Sequence, residues 1–222
     1  MILFTMQNLI DEKLFSDLYN SLLDEFRSAN AEQLSNIYSS TVEQVKEWKY
    51  ATDTYFTIQP LENEINKLKP GKLLKDGDND NPKIRVHSFG FDEGNRLILF
   101  EYPLSNDADQ YGYYTNCNLY IDQAIKTYVI HRYVENKRPP SLVNLKVFQP
   151  INASTKLALS VNGVKPNQWL LQTYYHSENG SLEKISRHDP GFNVTVDYKM
   201  VYDDKGLERI IAGNDLLQWK RK

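Results

Sequence analysis

An alternation of apolar and polar residues runs through most of the chain after Lys83, and it restricts the fold more than any other feature. Residues 194–202, VTVDYKMVY, show it most clearly, because every second residue is a valine, tyrosine or methionine and those between are mostly polar. Successive side chains of a β-strand point to opposite faces, so this pattern is typical of a strand with one packed and one solvated face. We therefore predict a large sheet over residues 83–222.

Short turn-forming stretches separate the alternating runs, for example around Gly94, Gly163, Gly180 and Gly206. Connections this short join antiparallel neighbours only, because a parallel crossover needs a dozen or more residues. The predicted sheet is therefore an antiparallel meander. Its strands are expected near residues 84–91, 96–104, 111–121, 125–134, 142–149, 156–161, 167–176, 182–187, 194–202, 207–212 and 215–220.

Residues 1–75 show helical spacing instead. Leu14, Leu18 and Leu22 recur every four residues, which predicts an amphipathic helix within residues 11–28. A second helical stretch runs from Leu34 to Trp48. The Ser-x-x-Glu pattern at residues 40–43 resembles a capping box and predicts that a helix begins or restarts there.

The remainder of this front end is mixed. Residues 52–59 are rich in β-branched and aromatic side chains and predict a strand, and residues 61–68 return to helical spacing before Pro70 and Gly71. The polar run DGDNDNP at residues 76–82 separates the front from the sheet. The predicted fold class is α+β, with N-terminal helices packed on a large antiparallel meander sheet. A helical front, 1–75, and a sheet region, 83–222, are expected to form one combined domain.

One hairpin pattern occurs twice. Residues 202–210 read Tyr-x-x-x-Gly-Leu-Glu-Arg-Ile, and residues 175–185 carry a near-copy that ends in Leu-Glu-Lys-Ile. A weaker relative lies at residues 91–97. Glycine supplies the positive φ that tight hairpin turns need. The leucine and isoleucine stand three residues apart, so they share one face only if a β-bulge lies between them.

Composition limits the classes of function. A single cysteine excludes an intramolecular disulfide, and the N-terminus lacks a basic region followed by a long apolar core, so we expect a cytoplasmic protein without a membrane segment.

The net charge of −3 and a pI of about 5.8 argue against nucleic-acid binding. The charge is uneven, however, since residues 1–60 sum to −5 and residues 151–222 to +2. This asymmetry makes the helical front a face for a basic partner, although acidic solvent faces are common on amphipathic helices.

The sequence holds no recognisable catalytic or cofactor motif, and we predict that the protein is not an enzyme and needs no cofactor or metal. Alternating aspartates at residues 76–80 resemble the start of a calcium loop, but the positions for its glycine and final glutamate hold Asn81 and His87. Cys117 stands between Asn116 and Asn118, and we interpret it as a small half-buried residue rather than a nucleophile. His176 could approach Glu183 across a hairpin, an arrangement that sheets also use for structure alone. An enzyme that uses His176 or His131 is the least supported hypothesis.

Aromatic density is the remaining signal, with rings concentrated in residues 111–133 and 169–175. Such rings pack a core, line a ligand groove or form a protein-binding surface. The leading hypothesis is a protein-binding module in which acidic side chains steer a basic partner and exposed rings near Trp169 retain it. The alternative is a small-ligand-binding protein with an aromatic-lined β cavity, which a deep, closed apolar cavity would favour. The predicted binding residues are Asp17, Asp24, Glu25, Trp169, Tyr174 and Tyr175.

The repeated hairpin also carries a resemblance. The unit at residues 202–210 and its copy at residues 175–185 resemble hairpins of bacterial immunity proteins, the cytoplasmic antidotes of polymorphic or contact-dependent toxins. The likeness covers about 40 residues. It implies a non-enzymatic protein that neutralises a toxin or another enzyme by occluding its active site, and it assigns no residue to that role.

Overall fold

A computed structural model describes residues 12–75, 86–104, 112–133, 138–165 and 168–221. Two helices, α1 (Glu12–Ser28) and α2 (Ala31–Gln44), precede the first strand, and a single turn, α3 (Glu62–Ile65), follows it. The strands are β1 (Glu47–Ala51), β2 (His87–Phe91), β3 (Leu97–Pro103), β4 (Tyr113–Ile121), β5 (Ala124–Arg132), β6 (Ser141–Pro150), β7 (Thr155–Val161), β8 (Trp169–His176), β9 (Leu182–Asp189), β10 (Val194–Asp203), β11 (Gly206–Ala212) and β12 (Leu216–Lys220).

The twelve strands form one sheet in sequence order, and each strand pairs antiparallel with the next. The predicted α+β class and antiparallel meander are confirmed. All eleven strands expected after residue 83 are present, with ends that differ by a few residues. Alternation located them because each connection is a local hairpin, so neighbours in sequence are also neighbours in the sheet.

Helices α1 and α2 cover one face of the sheet, here called the convex face. Leu99, Cys117, Tyr128, Leu145 and Trp169 lie on this face in one register row that runs from β3 to β8. Leu22 and Leu23 of α1 and Leu34 of α2 are buried in the same cluster. The side chain of Asn30 accepts a hydrogen bond from the Gln33 amide at 2.9 Å and caps the start of α2.

Three local expectations for the front end are wrong. No helix restarts at residues 40–43, because α2 is continuous to Gln44 and the hydroxyl of Thr41 donates back to the Ile37 carbonyl at 2.7 Å. Trp48 belongs to β1 and not to a helix. Residues 52–59 are not a strand, because they leave the sheet edge and cross its second face, where Phe56 and Ile58 pack on the core.

The second face is concave, as the segment between β1 and β2 demonstrates. The amide of Leu74 donates to the Tyr50 carbonyl on β1, whereas the carbonyl of Ile65 accepts from the Gln218 side chain on β12. A chain from Ile65 to Leu74 spans at most about 32 Å. A flat sheet of twelve strands would be about 53 Å wide. The sheet therefore curls around this segment, and its concave face carries Phe89, Phe100, Phe148, Tyr174 and Ile185.

Both copies of the repeated hairpin contain the expected bulge. In the later copy Tyr202 pairs with Leu207 and Val201 with Arg209, so Glu208 between them has no register partner in β10, and Glu183 is skipped in the same way in the earlier copy. Each bulge turns the leucine and the isoleucine of its unit onto the concave face, in one apolar cluster. The repetition thus serves the core, and no binding role follows from it.

The return of the crossing segment to β1 requires a glycine. A Cβ atom at Gly71 would lie 2.4 Å from the Asp53 carbonyl oxygen, and backbone hydrogen bonds link Gly71 to Thr54 and Thr52 to Lys72. We expect Gly71→Ala to lower the free energy of unfolding by about 1–3 kcal/mol, because the backbones must separate. Gly213→Ala, where a Cβ meets nothing within 4 Å, is the control. Equal urea midpoints for the two variants would contradict this packing.

Candidate functional site

A cavity of about 190 Å³ lies between the concave face and the crossing segment. Strands β3 to β6 form its floor, and residues 54–63 with Leu68 form its roof. It is partly open to solvent and part of its lining is polar, so it differs from the deep, closed apolar cavity that would favour the alternative hypothesis. Engineered apolar cavities of roughly 150 Å³ hold benzene, so this volume suits a small molecule.

A row of three polar side chains crosses the cavity floor. Asn118 on β4 stands opposite Thr127 on β5, and Thr127 stands opposite Lys146 on β6. The hydroxyl of Thr127 donates to the Asn118 Oδ1 at 2.7 Å, and the Asn118 amide donates to the Leu97 carbonyl at 3.0 Å. Asn118 and Thr127 therefore satisfy one another and hold the floor rigid.

Lys146 ends this row without such a partner. Within the described ranges, its ammonium group makes no hydrogen bond and no ion pair. Lys146 is half-buried and lines the cavity. An ammonium group that is partly removed from water gains more from an anionic partner than a fully exposed one does. The floor therefore presents one uncompensated positive charge.

The roof presents acceptors. Asn63 is 7% exposed, and its Oδ1 has no hydrogen-bond partner in the part of the chain that the structure describes. Its amide nitrogen makes a long contact, 3.5 Å, with the Thr54 carbonyl. Glu62, the preceding residue in α3, also lines the cavity, and its side chain carries a carboxylate. The Asn63 Oδ1 is itself buried, so it is enclosed in the roof and does not face the cavity. Among charged groups, the roof therefore offers the Glu62 carboxylate.

Aromatic rings form the side walls. Phe100 is stacked on Phe89 with centroids 4.7 Å apart, and Phe148 meets Tyr174 edge to face at 5.4 Å. The Tyr174 hydroxyl donates to the Gln59 side chain at 3.3 Å and so joins the roof to the sheet. Burial is the main cause that raises the pKa of Tyr174, so its hydroxyl stays protonated. The walls are therefore fixed by packing, and apolar parts of a ligand can lie against them.

The rings that the sequence placed at a binding surface lie elsewhere. Trp169 and Tyr174 are buried, and Tyr175 is half-buried, so the expectation of exposed rings near Trp169 is wrong. Trp169 packs against Phe15 and Tyr19 of α1. Tyr174 and Tyr175 are consecutive on β8 and point to opposite faces, so the three rings cannot form one patch.

The predicted acidic residues share α1 but differ in environment. Asp17 and Asp24 are exposed, with surface ion pairs to Lys13 and Arg27. Glu25 instead faces the sheet. Its carboxylate accepts hydrogen bonds from the Tyr128 hydroxyl and from Lys126, the latter at 2.7 Å. Glu25 thus holds α1 on the convex face.

Other sequence candidates give no assembled centre. Cys117 is fully buried, and burial raises the pKa of its thiol to about 12, so it remains a neutral core residue. His176 pairs with Leu182, and the structure shows no hydrogen bond between His176 and Glu183. Among the described residues, no three histidine, cysteine, aspartate or glutamate side chains converge closely enough to hold a metal ion. The acidic run at residues 76–82, with its calcium-like pattern, lies outside the described residues.

Sequence reasoning missed the cavity residues. Asn116, Asn118, Thr127 and Lys146 occupy alternating positions that read as ordinary solvent-facing strand residues. Only the register of β4, β5 and β6 places Asn118, Thr127 and Lys146 in one row, and only the curl of the sheet encloses that row. A usable signal was two asparagines, Asn116 and Asn118, on the same face of an otherwise apolar and aromatic strand.

Two further findings bear on function. None of the helices that the structure describes reaches the length and apolarity that a membrane crossing requires. Comparison of the sequence with known protein families found no match, and comparison with curated proteins found none. The geometry of the cavity is therefore the main indication of what this protein does.

Proposed function

We propose that this protein binds a small molecule in the cavity on its concave face. The observation that carries the proposal is the ammonium of Lys146, which lines an aromatic-walled cavity and has no hydrogen-bond or ion-pair partner among the described residues. This group gains a partner when a ligand with an anionic group enters, and the aromatic walls supply apolar contact. Binding sites of small ligands combine these features: concavity, apolar walls and a few converging polar groups.

Thermal unfolding in the presence of a small-molecule extract of the native host tests this function. A ligand at 100 times its Kd stabilises the folded state by about 2.7 kcal/mol, which raises the Tm by several degrees. Asn116→Phe fills the cavity and should abolish the rise. Asn36→Phe, on the exposed side of α2, should keep it. If the wild-type protein gains no stability from the extract, or if both variants respond alike, the cavity is not a ligand site.

Protein binding remains a second candidate, and the charge of the helical layer favours it. Residues 12–44 hold six carboxylates and two basic side chains, and five of the carboxylates are exposed. Such a layer attracts a basic partner and accelerates association. The resemblance of the hairpins to immunity proteins suggests a toxin domain as that partner. Burial of Trp169 and Tyr174 removes the aromatic patch on which this hypothesis also depended, so it takes second place.

Charge reversal on α1 tests the second candidate. The double variant Asp17→Lys, Asp24→Lys should slow the association with a basic partner captured from the host, and added salt should reduce the difference from wild type. The cavity variant Asn116→Phe should associate like the wild type. An association rate that is independent of salt and of these charges would exclude the acidic layer as the contact surface.

A further inference from the structure

We infer that the ligand of the concave cavity is a zwitterion, a compact amino acid with an apolar side chain; this inference rests on the small-molecule binding proposed above. The charged side chains that line the cavity are Lys146 on the floor and Glu62 on the roof. They carry opposite charges, and they face one shared space.

The two charges do not neutralise each other. No ion pair joins Glu62 and Lys146 among the described residues, so their charged atoms lie more than 4.0 Å apart across the cavity. Neither side chain has another ion-pair partner in the described ranges. Opposite charges that face a cavity without meeting are matched by a ligand that bears both signs. A simple anion would satisfy Lys146 alone, and a simple amine would satisfy Glu62 alone.

The two charged groups also determine the orientation of the ligand. An ammonium group has three donors and no acceptor, which suits the Glu62 carboxylate at the roof. At the opposite side, the Lys146 ammonium has donors and no acceptor, which suits a carboxylate. The ligand's amine is thus placed at the roof and its carboxylate at the floor.

The walls restrict the remainder of the molecule. Phe56, Phe100 and Phe148 line the cavity, and Phe100 and Phe148 are held by further ring contacts. A volume of about 190 Å³ leaves room for a compact side chain and excludes a peptide of several residues. An apolar side chain lies against these rings without leaving a polar group unsatisfied.

Titration calorimetry with a panel of apolar amino acids tests this inference, and each binder is compared with analogues that lack one charge. For L-leucine these are isoamylamine, without the carboxylate, and isocaproate, without the amine. The wild-type protein should bind the amino acid about tenfold or more tightly than either analogue, because each analogue leaves one charged group unpaired. Lys146→Met should bind the amino acid no more tightly than isoamylamine, because the partner of the carboxylate is gone. Glu62→Gln should bind the amino acid no more tightly than isocaproate, because the partner of the amine is gone.

Two variants provide matched controls. Lys199→Met removes a lysine from the exposed convex face, and Glu64→Gln neutralises the next carboxylate of α3, outside the cavity lining. Both should bind like the wild type. The inference of a zwitterionic ligand is wrong if the wild-type protein binds the amino acid and an analogue with equal affinity. It is also wrong if Glu62→Gln still prefers the amino acid over isocaproate as the wild type does. If no amino acid binds while the host extract still stabilises the wild type and not Asn116→Phe, the ligand class is wrong and the binding function stands. If the extract also fails, both proposals fall.

Discussion

Replacement of Phe89 by alanine is expected to lower the free energy of unfolding by about 3–5 kcal/mol. The Phe89 side chain is fully buried on the concave face, stacked on Phe100 at 4.7 Å and met edge-on by Phe56 at 5.2 Å. It is therefore the ring through which β2, β3 and the crossing segment contact one another. Removal of the ring leaves a cavity that three separate elements must collapse to fill, and a sheet that is hydrogen-bonded on both sides of β2 has little freedom to do so.

Phe192 offers a matched control for this variant. It lies in the turn between β9 and β10 and is 80% exposed. Phe192→Ala makes the same chemical change and should alter stability by less than about 0.5 kcal/mol. Urea unfolding followed by circular dichroism measures both. A loss below about 1 kcal/mol for Phe89→Ala would show that the crossing segment does not pack on β2 as described.

Strand positions were predictable because the information for them is local. In β10 every second side chain is apolar, and the turn to β11 follows directly, so alternation and a glycine locate the hairpin. β1 carries no such signal. Its partner is β2, some 40 residues further on, with Glu47 opposite Phe91, and its five residues directly follow a helix. A strand that depends on a distant partner is not visible in its own pattern.

The site was less predictable than the fold for a related reason. Lys146 and Glu62 stand 84 positions apart, and no spacing rule connects them. They face one cavity because the sheet curls and because the segment after β1 crosses its concave face. Similarly, Trp169 reads as a surface ring in the sequence, since β8 alternates weakly, and only the packing of α1 decides that it is buried. Tertiary arrangement, not local propensity, determined both outcomes.

Neutralisation of Glu25 should produce the second large effect. Its side chain is 23% exposed, and its carboxylate bridges Lys126 and the Tyr128 hydroxyl. This bridge connects α1 to β5, so it holds the helical layer on the convex face. Hydrogen bonds to charged groups contribute about 1.5–3 kcal/mol, and we expect Glu25→Gln to lower the free energy of unfolding by that amount. Glu43→Gln, an exposed carboxylate of α2, should change it by less than about 0.5 kcal/mol.

A double-mutant cycle separates the bridge from other effects of the substitution. Tyr128→Phe removes the hydroxyl and leaves the ring in the core beside Cys117 and Leu145. The double variant Glu25→Gln, Tyr128→Phe should lose less free energy of unfolding than the two single variants lose together, because either substitution alone already removes the hydrogen bond. Strict additivity in urea unfolding would mean that Glu25 and Tyr128 do not interact in solution.

The same bridge predicts how stability depends on alkaline pH. Burial, followed by the hydrogen bond to Glu25 and the negative charge of Glu25, raises the pKa of Tyr128 above its usual value near 10. The folded state thus retains a proton that the unfolded state releases. This contribution to stability is complete below about pH 10 and is lost as pH rises through the raised pKa. In Glu25→Gln the pKa of Tyr128 should be raised less, so the loss ends at a lower pH. Between the pKa of Tyr128 in Glu25→Gln and its higher pKa in the wild type, only the wild type still loses stability, so the stability difference between the two proteins should narrow in that alkaline range; a difference that widens there would contradict the bridge.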